Sequence, residues 1–321
     1  MSHSEGPKAK DNAAPKLISA SAGSAAKAAK KNKSNCSFFD KDNNFKVLWP
    51  FKMGKKYTFG QKHFKIVEIE GKGVGCIALH DIEIGTLVMK LKYYKGTCGH
   101  QHVDSPVNHS CRPNVSSFKI NRHLRMRTVS KILAGQEIVR SYDPICLGMK
   151  NLNARQKQLS KNSEFTCVCD LCKEEEENRE NNNRDIYKKF RKLDNESYRL
   201  DSIIYVDNRL LSTPEVYDNC KKLMICYEKM QKLAMKHQAP WEFILAEIIE
   251  EGFEAGLHAY VEAKKHLNVD KIEYFLKKCM KWSRVGEKMA KIAFGNAYNQ
   301  ITHHNWGEIN QNFENWFAEN R

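Results

Sequence analysis

Apolar residues are arranged differently in the two halves of this chain. From Phe38 to about Asp143 they come in short runs broken by Gly, Asn, Asp and Pro. Phe64-x-Ile66, Leu87-Val88-Met89, Val115-x-x-Phe118-x-Ile120 and Leu124-x-Met126-x-Thr128 read as strands, the last with strict alternation. Turn signals at Asp81–Gly85 and Ala134-Gly135 separate them. The intervals are too short for helical crossovers, which excludes a doubly wound sheet and predicts a small, irregular β body. Beyond an Asn-rich hinge at Asn181–Asn183 the period changes to three and four. Trp241, Ile244, Leu245, Ile248, Ile249, Phe253, Leu257, Tyr260 and Val261 mark an amphipathic helix. So do Leu223, Met224, Tyr227 and Met230, and again Ile272, Phe275, Leu276 and Cys279. Thr213-Pro214 has the form of a helix start. The fold class is α+β: a β body over 35–163, a cysteine-bearing segment and acidic linker over 164–184, and an all-helical domain over 185–321. The acidic run Glu174–Glu177 reads as a solvated helix face or linker.

Composition adds a tail. Residues 1–34 consist largely of Ser, Ala, Gly, Asn and Lys, with no aromatic before Phe38, so they cannot bury enough apolar surface to offset chain entropy. Lys27, Lys30, Lys31 and Lys33 suit a nuclear-import or nucleic-acid-contacting arm, and equally a solvated leader. The net charge of +15 favours acidic partners. Eleven cysteines without a secretory leader or a bilayer-length apolar run imply a reducing compartment, nucleus or cytoplasm, and no membrane association.

Candidate chemistry is concentrated at three places. Asn108-His109-Ser110-Cys111-Arg112-Pro113-Asn114 packs amides, an imidazole and a thiol into seven residues. Cys167-x-Cys169-x-x-Cys172 brings three soft ligands within six residues, a spacing that suits one tetrahedral zinc ion. A fourth ligand must come from elsewhere: Cys111, or the Cys98-Gly99-His100-Gln101-His102 stretch. Tyr142 follows the expected strand Glu137-Ile138-Val139, where a phenol either points into a pocket or caps a core edge. The glycines of Gly71-Lys72-Gly73-Val74-Gly75 have no phosphate-loop ending and read as a hairpin turn.

Taken together, residues 64–172 resemble the SET domain of protein-lysine methyltransferases, and among these the SET-and-MYND subfamily. Four stretches in the family's order carry the resemblance. They are Gly73-x-Gly75 followed by Asp81-Ile82-Glu83-Ile84-Gly85-Thr86; Asn108-His109-Ser110-Cys111-x-Pro113-Asn114; Gly135-x-Glu137-Ile138-x-x-Ser141-Tyr142; and Arg155-x-x-x-Leu159 with Phe165-x-Cys167-x-Cys169-x-x-Cys172. The resemblance implies a pseudoknotted β body with a zinc-bearing tail. It implies that Gly73, Val74 and Gly75 line S-adenosylmethionine, that Asn108 and His109 hold it, and that Phe165 stacks near its adenine. Tyr142 would contact the cofactor and face its reacting methyl as the catalytic residue, and Cys111 would join Cys167, Cys169 and Cys172 on Zn2+. The implied activity is methylation of a protein lysine, histone or other. The chain departs from the subfamily in two ways. It has no MYND cysteine set, and only 32 residues separate Gly75 from Asn108, where Tyr93, Tyr94 and Val107 would line a reduced lysine channel. That short interval motivates the competing expectation of a catalytically silent scaffold acting through its helical domain.

Overall fold

A computed structural model describes residues 62–92, 94–95, 101–102, 105–178, 184–205, 213–266, 268–302 and 304–319. The lysine-rich tail, Tyr93, Cys98 and His100 lie outside them. The described part is α+β: three small sheets followed by a mostly helical remainder.

The first sheet is built on the glycine-rich stretch. Strands β1 (Phe64–Ile69) and β2 (Gly73–Ala78) form an antiparallel hairpin with Phe64 opposite Ala78. Its turn uses Gly71 and Gly73, both at φ +70°, a left-handed conformation that disfavours a Cβ. Strand β9 (Glu137–Arg140) pairs antiparallel to β2, and β6 (Asn108–His109) lies parallel along the far side of β9, giving the order β1-β2-β9-β6. The second sheet, β3-β8-β7, comprises β3 (Leu87–Lys92), β7 (Val115–Ile120) and β8 (His123–Thr128). Alternation in β8 buries Leu124, Met126 and Thr128 and leaves the intervening His123, Arg125 and Arg127 half-buried on the other face. Asn121, at φ 52°, makes the two-residue turn between β7 and β8. Strands β4 (Tyr94–Lys95) and β5 (Gln101–His102) form a separate two-stranded ribbon.

A short helix α1 (Pro144–Leu147) follows β9. Helix α2 (Leu152–Ser163) is capped by the Asn151 side chain, which accepts from Ala154 N at 3.0 Å. Helix α3 (Asp170–Glu177) carries the acidic run. The expectation that this run is solvated fails at Glu175, which is buried against Arg155.

The helical remainder consists of α4 (Arg184–Tyr205), α5 (Thr213–Lys236), α6 (Trp241–Phe243), a π-helical stretch Ile244–Ile249, α7 (Glu250–Lys265), α8 (Val269–Phe294), a 3-10 stretch Gly295–Gln300 and α9 (Trp306–Glu319). The helix expected from Trp241 onward therefore changes hydrogen-bond register within its first turns. Packing runs α4 on α5, α5 on α7, α7 on α8 and α8 on α9. No described helix is long and apolar enough to cross a membrane. Phe118, Ile120 and Val129 of the β body join the helical core rather than the core beneath β1–β3. Phe118 meets Phe294 edge-on, ring centres 5.3 Å apart, and Glu242 of α6 accepts from Ser117 N at 2.8 Å.

Candidate active site and metal centre

Strand β6 organises the site. Its pairing along β9 places Asn108 beside Val139 and His109 beside Arg140. Ser110 N donates to Arg140 O at 2.9 Å, and Asn114 closes the segment onto β9 through Asn114 N to Val139 O, Val139 N to Asn114 Oδ1 and Asn114 Nδ2 to Glu137 O. The Asn114 amide thus acts as a backbone clamp for strands with too few ladder bonds of their own.

Asn108 Nδ2 donates to Glu137 Oε1 at 2.9 Å, and Lys72 Nζ pairs with Glu137 Oε2 at 2.6 Å. A side chain at Gly75 would stand 2.8 Å from Asn108 Nδ2 and 2.3 Å from Ile69 Cδ1, so this glycine permits the close approach of Asn108. Gly73, Val74 and Gly75 lie on one strand, and Gly75 and Asn108 are brought together. Glu137, the residue that joins them, carried no expected role; it was legible only as part of the Gly-x-Glu-Ile stretch.

His109 is buried and links two parts of the site. Its Nδ1 accepts from Tyr142 N at 3.1 Å, which leaves the proton on Nε2, and Nε2 lies 3.4 Å from Cys111 Sγ. Burial lowers its pKa to about 4, with Cys169 opposing and Arg140 and Arg155 adding to the shift, so the ring is neutral near pH 7. The rings of His109, Tyr142 and Phe165 form a cluster with centres 5.3, 5.8 and 6.0 Å apart. Tyr142 remains 37% exposed, with the Arg140 guanidinium 4.7 Å above its ring and its hydroxyl donating to Val107 O at 3.4 Å. Desolvation raises its pKa, against the pull of Arg140, so the phenol stays protonated and available as a donor.

The four thiols expected to share an ion do come together. Cys111, Cys167, Cys169 and Cys172 are all buried, with their Sγ atoms within 4.8 Å of one another. Cys111 Sγ and Cys172 Sγ are 3.7 Å apart, against about 3.8 Å for the edge of a tetrahedron with a metal–sulfur bond of ~2.3 Å. Cys111 N donates to Cys169 Sγ at 3.4 Å. Four thiolates at this spacing repel one another strongly, so the donor set fits a tetrahedral divalent cation. Of the competing stretch, Gln101 and His102 pair in the β4–β5 ribbon, and Cys98 and His100 lie outside the described residues.

Comparison with known proteins agrees with part of this arrangement. Residues 92–143 match the SET domain. The matched SET segment contains β6, β9 and Tyr142; the glycine hairpin and the three tail cysteines flank it. No curated protein matches the chain. Among solved structures, a Plasmodium falciparum protein described as a "putative histone methyltransferase" is 19% identical, aligns over 25% of this chain and 92% of its own, and superposes with a TM-score of 0.21. SET methyltransferases use S-adenosylmethionine, and the SET match supports methyltransferase activity in general.

Proposed function

We propose that this protein is a zinc-stapled, S-adenosylmethionine-dependent protein-lysine methyltransferase of the SET-and-MYND type without the MYND module. The observation that carries the reading is the placement of Tyr142. The β6–β9 pairing delivers it next to His109 and Phe165, with Asn108 and Gly75 on the same sheet.

Zn2+ would be held by Cys111, Cys167, Cys169 and Cys172. It would fix the tail that carries Phe165 onto the segment that carries His109, a structural role in a closed four-ligand site. Gly73, Val74, Gly75, Asn108, His109 and Phe165 would bind the cofactor. Both nitrogens of the His109 ring are engaged within the chain, which leaves its ring face and backbone for this contact.

When bound, S-adenosylmethionine supplies the electrophilic methyl group. The chain's own contribution is orientation and desolvation. A lysine amine titrates near 10.4 in water, and burial beside cationic groups favours its neutral, nucleophilic form. The Tyr142 hydroxyl and the Val107 carbonyl then align the amine by hydrogen bonding, which needs no strong base.

Transfer of labelled methyl from the cofactor to histones or to a protein lysate tests the reading, with Tyr142→Phe as the control. Cofactor binding without incorporation into any protein would instead favour a second reading, a silent SET-derived scaffold. The 32-residue interval between Gly75 and Asn108 is the feature that supports that alternative.

A further inference from the structure

Behind the thiol cluster lies a run of buried polar groups that the proposed reaction does not use. Arg155, on α2, is 1% exposed. Its Nη2 faces Cys172 Sγ at 3.6 Å and Glu175 Oε2 at 3.2 Å. Its Nη1 faces Glu175 Oε1 at 3.4 Å, the Tyr187 hydroxyl at 3.1 Å and Lys150 O at 2.5 Å. Tyr187, on α4, donates its hydroxyl proton to Glu175 Oε1, and its oxygen lies 2.7 Å from Nε2 of His237, at the end of α5. One donor and two acceptor positions are all that a phenol offers, so His237 must carry its proton on Nε2. Arg155, Glu175, Tyr187 and His237 therefore join α2, α3, α4 and the end of α5 in one buried network, with a sulfur of the cluster at its head.

The physical consequence follows from charge. A divalent cation held by four thiolates leaves a net negative, buried group, which is costly unless cations and N–H donors face it. Arg155 offers both to Cys172, and a thiolate is a far better acceptor than a thiol. Loss of the ion would uncouple Cys172 from Cys111, Cys167 and Cys169 and free the tail segment that holds Glu175 against Arg155. Outer partners of metal ligands commonly orient the site in this manner. Here the partner also reaches into another part of the fold.

We propose that Arg155, Glu175, Tyr187 and His237 form a buried strut through which the metal-loaded cluster holds α4 and the end of α5 in place, so that metal loss loosens those helices ahead of the β1–β2 hairpin. The proposal rests on the zinc occupancy argued above, and a zinc count on each preparation separates failure of that occupancy from failure of the strut.

Hydrogen exchange on the full chain, zinc-loaded and chelated, tests it. Chelation should speed exchange about tenfold or more in segments 184–193 and 230–239, with 64–78 unchanged. Tyr187→Phe, zinc-loaded, should reproduce the increase in those two segments while still binding one zinc per chain. Faster exchange confined to 166–177 on chelation would overturn the strut. So would a uniform increase over the whole chain, or full protection of 184–193 in Tyr187→Phe. A chain that binds no zinc removes the proposal together with the metal centre.

Discussion

The backbone N–H of Tyr142 donates to Nδ1 of His109 at 3.1 Å, across 33 positions of sequence. This bond fixes which imidazole nitrogen carries the proton and directs that N–H toward Cys111 Sγ, 3.4 Å away. The candidate catalytic phenol and the candidate metal centre therefore share one side chain. His109→Ala removes both links. It should lower zinc affinity roughly 10- to 100-fold, the usual effect of losing an outer partner of a metal ligand, and should reduce methyl transfer as Tyr142 loses its support. Zinc competition titration and the labelled-methyl assay measure the two losses separately.

Tyr142→Phe keeps the ring contacts with His109 and Phe165 and deletes only the hydroxyl. Its expected signature is a fall in kcat of about 100-fold, the order seen when one polar group aligned on a reacting centre is removed. Cofactor affinity and thermal stability should stay close to those of the parent. Equal loss of cofactor binding and turnover would mean that the phenol supports the pocket rather than the reaction.

Cys111→Ser should be more severe than any outer change, because it removes one of four ligands and the link between the middle of the chain and its tail. Zinc stoichiometry should drop below one per chain, and the melting temperature of the variant should no longer respond to a chelator, as expected when metal binding and folding are coupled. The parent should melt earlier in chelator.

The hairpin glycines separate strain from crowding. At Gly75 an added methyl would displace Ile69, Asn108 or Glu137, so Gly75→Ala should cost on the order of 1–3 kcal/mol. At Gly71 nothing lies within 4 Å, and the φ of +70° alone should cost about 1 kcal/mol in Gly71→Ala. Denaturant melts of the two variants would rank them, and the reverse order would contradict the close approach at Gly75.

Acid should destabilise the fold through His237, whose pKa is lowered to about 4 by burial, with Arg155 and Arg112 adding to the effect. An unfolded histidine takes up a proton near 6.5 while the folded one resists until about 4, so stability is complete above pH 6.5 and declines as pH falls toward 4. The contribution is on the order of 3 kcal/mol across that window. Equilibrium unfolding of the parent and of His237→Gln, which keeps a donor for Tyr187 but cannot titrate, should show a shallower acid slope in the variant.

Much of this protein could be read from the order of its residues. Alternation at Leu124, Met126 and Thr128 and the three-to-four spacing from Trp241 onward determine strand and helix, because burial of one face selects a period whatever the partner. Cys167, Cys169 and Cys172 mark a candidate metal-ligand set because their spacing is local. Other features depended on contacts between distant positions. Bringing Cys111 to the three tail cysteines required β6 to lie along β9. The role of Glu137 required Lys72 and Asn108 to converge on it. Glu175, in an acidic run that looks solvated, is buried because Arg155 and Tyr187 reach it from other helices. Periodicity records which face is buried, but the partner that satisfies a buried charge comes from anywhere in the chain, and only the folded arrangement supplies it.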